Sequence, residues 1–229
     1  MKAALFTALV FSITFTTAQP DSIYKDSLLT VSKQKSISRY FGELYFKTTL
    51  AAEQYEDHQA SPAASFLGCF RDSFMVYFLS AAANFNAFQP AGFSWQRYYE
   101  HTNCNSFQYY FMGMNAHING DMWKALIQSS PYDSILKYRK ALMQFQKPLN
   151  RVFDVFYNSC LTNKKLQRFH FITLGLDRWL GKQMILKWRK KQVQLALLYY
   201  RKPVKFERLL QKRKRSMLRT DAYVIKFFA

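Results

Sequence analysis

Between Met112 and Trp123 the chain reads Met-Gly-Met-Asn-Ala-His-Ile-Asn-Gly-Asp-Met-Trp, and four of these side chains can do chemistry: Asn115, His117, Asn119 and Asp121. At α-helical spacing His117 and Asp121 share one edge, and Asn115 and Asn119 share another roughly 160° away. A neutral imidazole and a carboxylate one turn apart stand about 5–6 Å between Cβ atoms. They can share a hydrogen bond, or hold one divalent ion such as zinc at about 2.0–2.2 Å from each donor. A catalytic zinc also needs a third protein ligand and an open position for water. Glu43, Asp72, Glu100, His101, Asp154 and the His170/Asp177 pair are the candidates for that third ligand.

Met114, Ile118, Met122, Ala125 and Leu126 fill the space between the polar edges, so the segment reads as a helix buried on most sides. Stranding a buried polar group costs on the order of 1–3 kcal/mol, so something inside the fold must engage this row. Three readings stay open for His117 and Asp121. They form a hydrogen-bonded pair that fixes packing, or they are metal ligands, or they edge a metal-free polar pocket in which His117 is the best candidate for an acid/base or ligand contact. Asn115 and Asn119 either bond neighbouring helices or edge a cavity and orient a polar ligand group. Other familiar catalytic signatures are absent from the chain: no Gly-rich phosphate loop, Gly-x-Ser-x-Gly elbow or His-Glu-x-x-His helix occurs.

The elements that must position this row are helical. Only 7 Gly and 6 Pro interrupt the sequence, and no alternating strand pattern appears. Ile37, Phe41, Leu44, Tyr45, Thr48, Ala52 and Tyr55 form one stripe, predicting a helix over about 31–57. Phe66, Phe70, Phe74, Tyr77, Phe78 and Ala81 define a second that ends before Pro90. Ser94 is expected to cap a short helix with Trp95, Tyr98 and Tyr99. The central helix spans about 107–128. Asp133 can cap a fifth that reaches Asn158 with a bend at Pro148. A long sixth covers about 163–201, and a last one about 204–225. The expected fold is all-α: a single bundle of about six or seven helices around the buried central one, with the 22 Phe and 15 Tyr read mainly as packing. The hydroxyls of Tyr109, Tyr110, Tyr199 and Tyr200 need partners or a pocket.

Phe41-x-x-Leu44-Tyr45, the aromatic helix from Phe70 to Phe85, Trp95, and the block Asn115-Ala116-His117-Ile118-Asn119-x-Asp121 together resemble one family, the helical domain of unknown function 5995. Met122 stands where Leu is expected. The resemblance covers roughly 37–165 and implies a helical fold with this block at its heart, without a reaction. His117-x-x-x-Asp121 is also similar to the metal-binding turn of the helical zinc phosphoesterases, the nuclease and phospholipase C superfamily. That likeness implies zinc ligation by His117 and Asp121. Those enzymes use more histidines and a second such turn, whereas this chain has His58, His101, His117 and His170, leaving at most a reduced site of one or two metals.

Lys2, an apolar run of 13 residues from Ala3 to Phe15, and Thr16-Thr17-Ala18 read as a secretory signal peptide over 1–18. The run is short of the roughly 20 residues a bilayer span needs. The mature chain would then be one helical domain over 19–229, exported to the periplasm or secreted, with no transmembrane segment after cleavage. Cys69, Cys104 and Cys160 are odd in number and widely spaced, so at most one disulfide can form.

The net charge of +19 is unevenly placed: residues 164–229 carry 19 Lys and Arg against 3 Asp and Glu, while 19–163 carry 13 against 11. Such a polycation suits an anionic envelope surface, lipid head groups or acidic polysaccharide, more than a specific nucleic acid, or it serves solubility alone. The functional reading is an exported helical protein with a buried His/Asp polar site that could form a small-ligand pocket. A metal-dependent hydrolase of phosphoesters or esters, and a non-catalytic envelope protein that binds anionic lipid or polysaccharide through its basic third, are the alternatives.

Overall fold

The computed structural model describes residues 22–228; the expected leader, 1–18, lies outside them. Among the described residues there are helices and connections and no strands. In chain order the helices are α1 (Ser22–Lys33), α2 (Ser38–Glu56), α3 (Ser61–Asn86), α4 (Gln96–Glu100), α5 (Ser106–Met114), a π-helical segment (Asn115–Asp121), α6 (Met122–Ser129), α7 (Tyr132–Gln144), α8 (Gln146–Cys160), α9 (Lys164–Ile172), α10 (Leu176–Arg201) and α11 (Pro203–Phe228).

The all-α bundle is as expected, with more and shorter segments. The expected first helix, about 31–57, starts later, as α2, and is preceded by the unexpected α1, which folds back along it so that Lys25 meets Glu53 at 3.1 Å. The expected fifth divides at Phe145, and Pro148 sits in the first turn of α8, where its missing N–H costs nothing. The expected sixth breaks at Thr173–Gly175, where Leu174 and Gly175 both take positive φ. Ser94 does not cap α4; Trp95 occupies that position without a side-chain cap. A capping box does open α5: Asn105 accepts from the Gln108 N–H at 3.0 Å while Gln108 Oε1 accepts from the Asn105 N–H at 2.8 Å.

α5, the π segment and α6 form one continuous rod at the centre. α2, α3, α10 and α11 pack around it, and the core lies on its whole circumference. Two glycines let it be that tightly wrapped. A Cβ at Gly113 would overlap the Phe41 ring of α2, and one at Gly120 would stand 2.6 Å from Ser94 Oγ. Two clusters of buried side chains, the first rich in aromatic rings, meet at Ile118, which packs against both.

Candidate functional site

The polar row falls on the π segment, and that placement decides what each side chain reaches. Hydrogen bonds of the i→i+5 kind widen the turn and change the phase of every residue after it. His117 and Asp121 are both buried, 2 % and 1 % exposed, yet they do not bond each other. Asp121 turns to the indole of Trp95, whose Nε1 donates to Oδ2 at 2.7 Å, and takes Lys124 Nζ on Oδ1 at 2.8 Å. With both oxygens engaged, Asp121 anchors Trp95 against Phe41 and Phe78.

His117 points the other way, into an aromatic box. Phe74 stacks on it with ring centroids 3.4 Å apart and planes 8° from parallel, and Tyr45 meets its edge at 4.3 Å. Neither ring nitrogen has a partner among the described residues, nor has the buried Tyr45 hydroxyl beside it. Burial without a carboxylate neighbour holds the imidazole pKa well below its ordinary 6.5, so the ring is neutral. The same burial pushes the Tyr45 phenol well above 10.

The direct His117–Asp121 hydrogen bond, one of the three readings that α spacing left open, is therefore corrected by the π turn. A shared metal fits these residues poorly. Both Asp121 oxygens already hold cationic or N–H donors, and among the described residues no three His, Cys, Asp or Glu gather where an ion could sit. His170 and Asp177 do meet, at 3.0 Å across the α9–α10 turn, but their further partners are Tyr157 and Thr173, and the cluster staples that turn.

Asn115 and Asn119 face α10 and α11. Gln192 Nε2 donates to the Asn119 carbonyl at 2.7 Å, Asn119 Nδ2 to Asn115 Oδ1 at 3.1 Å, and Asn115 Nδ2 to Asp221 Oδ1 at 2.8 Å and to the Met217 carbonyl at 3.0 Å. This buried ladder ties three helices together. Burial raises the Asp221 carboxyl from an ordinary 3.8 to about 7, so protonated and ionised forms balance near neutrality. The two asparagines are among the ladder's rungs and lie outside the cavity that His117 faces.

That cavity, about 90 Å3, runs between α2, α3, the central helix, α8 and α10. Phe41, Tyr45, Phe70, Phe74, Met122 and Ile185 give it an apolar wall, and His117 opens onto it. So does Arg189, which sequence reasoning lost inside the run Lys187-Trp188-Arg189-Lys190-Lys191. Its register was readable: Ile185, Trp188, Arg189, Gln192, Val193 and Ala196 form the buried face of α10. The guanidinium donates to the Leu142 carbonyl at 2.5 Å and to Gln146 Oε1 at 3.1 Å, and Phe145 covers it at 5.4 Å. Among the described residues no carboxylate reaches it, and burial draws its pKa down to about 10. Arg71, the other lining cation, differs: Glu56 stands at 2.7 Å and Asp72 at 3.0 Å.

Tyr109 donates to the His101 carbonyl at 2.8 Å, and Tyr200 to those of Ile127 and Ser130, so these hydroxyls serve loop and helix ends. Cys69, Cys104 and Cys160 are free thiols, not joined in a disulfide. No described helix is long and apolar enough to cross a membrane. No curated protein and no solved structure matches the chain. A family model does, over residues 24–226, a span that takes in the polar row, the cavity and most of the basic third: the chain belongs to the family of unknown function DUF5995.

Proposed function

We propose that the protein binds a small, mostly apolar molecule bearing one anionic group in the cavity between α2, α3, the central helix, α8 and α10. One observation carries this reading. Three buried polar side chains that the protein leaves incompletely matched, Tyr45, His117 and Arg189, line the same apolar cavity. An unpartnered buried hydroxyl or ring nitrogen costs on the order of 1–3 kcal/mol, and a buried charge without a counter-charge costs more. A ligand that satisfies these groups recovers that free energy on binding. Arg189 would pair the anionic group, and Tyr45 Oη and His117 would offer further hydrogen bonds to its polar end. The aromatic wall would desolvate the rest.

Size narrows the class. The cavity, about 90 Å3, suits a small molecule and not a long acyl chain. A short-chain carboxylate such as hexanoate is a probe of that class. Export is part of the proposal, and its support is the basic–apolar–small order of residues 1–18.

Calorimetric titration with hexanoate and with its neutral analogue hexanamide tests the reading. A charge-assisted hydrogen bond contributes about 1.5–3 kcal/mol, so hexanoate should bind roughly 10- to 100-fold tighter. Arg189→Met should erase the preference and leave the weaker binding. If neither compound binds, the cavity is not a ligand site. If both bind alike, Arg189 selects no anion.

A further inference from the structure

Where α9 turns into α10, six large apolar side chains face solvent within ten residues: Phe171, Ile172, Leu174, Leu176, Trp179 and Leu180, each between 53 % and 88 % exposed. Scattered exposed apolar residues are ordinary, but a cluster this dense marks a contact surface. The backbone at its apex carries strain. Leu174 holds φ at 51°, a left-handed conformation that costs a branched side chain, and it does so with its side chain 88 % exposed. The turn is also stapled from inside, where the buried Asp177 carboxylate accepts from Thr173 Oγ1 at 2.9 Å, from Tyr157 and from the His170 ring. A fixed apolar tip is thus held out from the body.

The charge around the tip identifies what covers it. Of the three acids between Lys164 and Ala229, Asp177 and Asp221 are buried, leaving Glu207 as the one exposed carboxylate against 19 Lys and Arg, of which Arg189 alone is buried. Lys164 and Arg168 lie one turn apart on α9, with Arg168 one turn from Phe171 and Ile172. Leu176, Trp179, Leu180 and Gln183 share a face of α10 that continues into Lys187 and Lys190. Apolar side chains at a tip, a tryptophan at its shoulder and a ring of cations behind is the arrangement of a protein that dips into an anionic bilayer while its cations meet the head groups. Nucleic acid would match the charge but leave the six apolar side chains in water.

We propose that the α9–α10 corner docks the protein on the surface of an anionic lipid bilayer, with Leu174 and Trp179 entering the head-group boundary. The proposal is independent of the cavity and its ligand. The full chain is mixed with vesicles of pure phosphatidylcholine and with vesicles containing phosphatidylglycerol, and binding is read by co-sedimentation and by tryptophan emission. Phosphatidylglycerol vesicles should retain the protein at low salt, release it as salt rises, and shift the emission to the blue; Trp179→Phe should abolish most of that shift. The double variant Leu174→Glu/Trp179→Glu alters two exposed side chains, so its circular dichroism should match the wild type while vesicle affinity falls at least tenfold. The proposal is overturned if the wild type ignores anionic vesicles, or if the double variant binds them as well as the wild type does. It is also overturned if sedimentation shows a dimer that the double variant dissolves, because the tip is then covered by a second copy of this chain.

Discussion

Tyr45→Phe removes a single oxygen from the middle of the cavity wall, and the structure predicts that the ligand-free protein becomes more stable. The ring keeps its contacts with His117 at 4.3 Å, Phe41 at 5.5 Å and Phe78 at 6.1 Å. What disappears is a hydroxyl that is buried and has no partner among the described residues. Leaving such a group unsatisfied costs about 1–3 kcal/mol, and the space vacated merges with a cavity already present, so little new void is created. The net expectation is a gain of about 1 kcal/mol, which for a chain of this size raises Tm by about 2–4 °C. Thermal unfolding of the ligand-free variant beside the wild type, followed by near-ultraviolet circular dichroism, measures it. A loss of about 1 kcal/mol instead would mean that the hydroxyl holds a partner in the native protein, and the argument from unmatched groups in this wall would fail.

Two further perturbations probe the scaffold. Asp221 keeps its proton up to about pH 7 in the folded chain, whereas an unfolded aspartate gives it up near 4, so the native state binds more protons between those values and stability falls as pH rises through that window. Three units at about 1.4 kcal/mol each set an upper limit of about 4 kcal/mol; Asp221→Asn keeps an acceptor for Asn115, and should raise the urea midpoint at pH 8 and flatten the pH dependence, while an unchanged slope would place the titration elsewhere. Gly113→Ala puts a methyl group into the Phe41 ring and forces α2 away from the central rod, for an expected loss of about 1–3 kcal/mol in urea unfolding; a neutral result would show that the two helices are further apart than described.

The central helix was legible because apolar residues surround its polar row, and the stripe from Phe41 to Tyr55 faces the cavity as its spacing requires. Burial of all four polar residues followed from the same pattern. Their pairing did not, because α-helical spacing cannot anticipate a π segment, and one wider turn sends Asp121 to Trp95 and His117 to Phe74. Asn115 and Asn119 were readable as interhelical bonds, but not the partners, since Asp221 and Gln192 lie 106 and 73 positions away.

Other features were hidden by their neighbours. Arg189 looked like one more cation of a basic run, and only its phase with Ile185 and Gln192 on α10 reveals that it points inward. Tyr45 belonged to a stripe of packing aromatics, and a hydroxyl without a partner is a property of three-dimensional surroundings, invisible in a stripe. The breaks at Phe145 and Leu174 carry weak signals, because neither residue is a customary helix stop; Gly175 was the one available cue for the second.

The imidazole of His117 reports directly on whether a ligand-accepting cavity lies at the centre of this protein. Nuclear magnetic resonance of its ring carbons, with His117→Gln to assign the signal, should show no titration between pH 8 and 5.5 and a saturable shift when hexanoate is added. A ring that titrates near 6.5 as a solvated histidine does, or one that hexanoate leaves unmoved, would contradict the account.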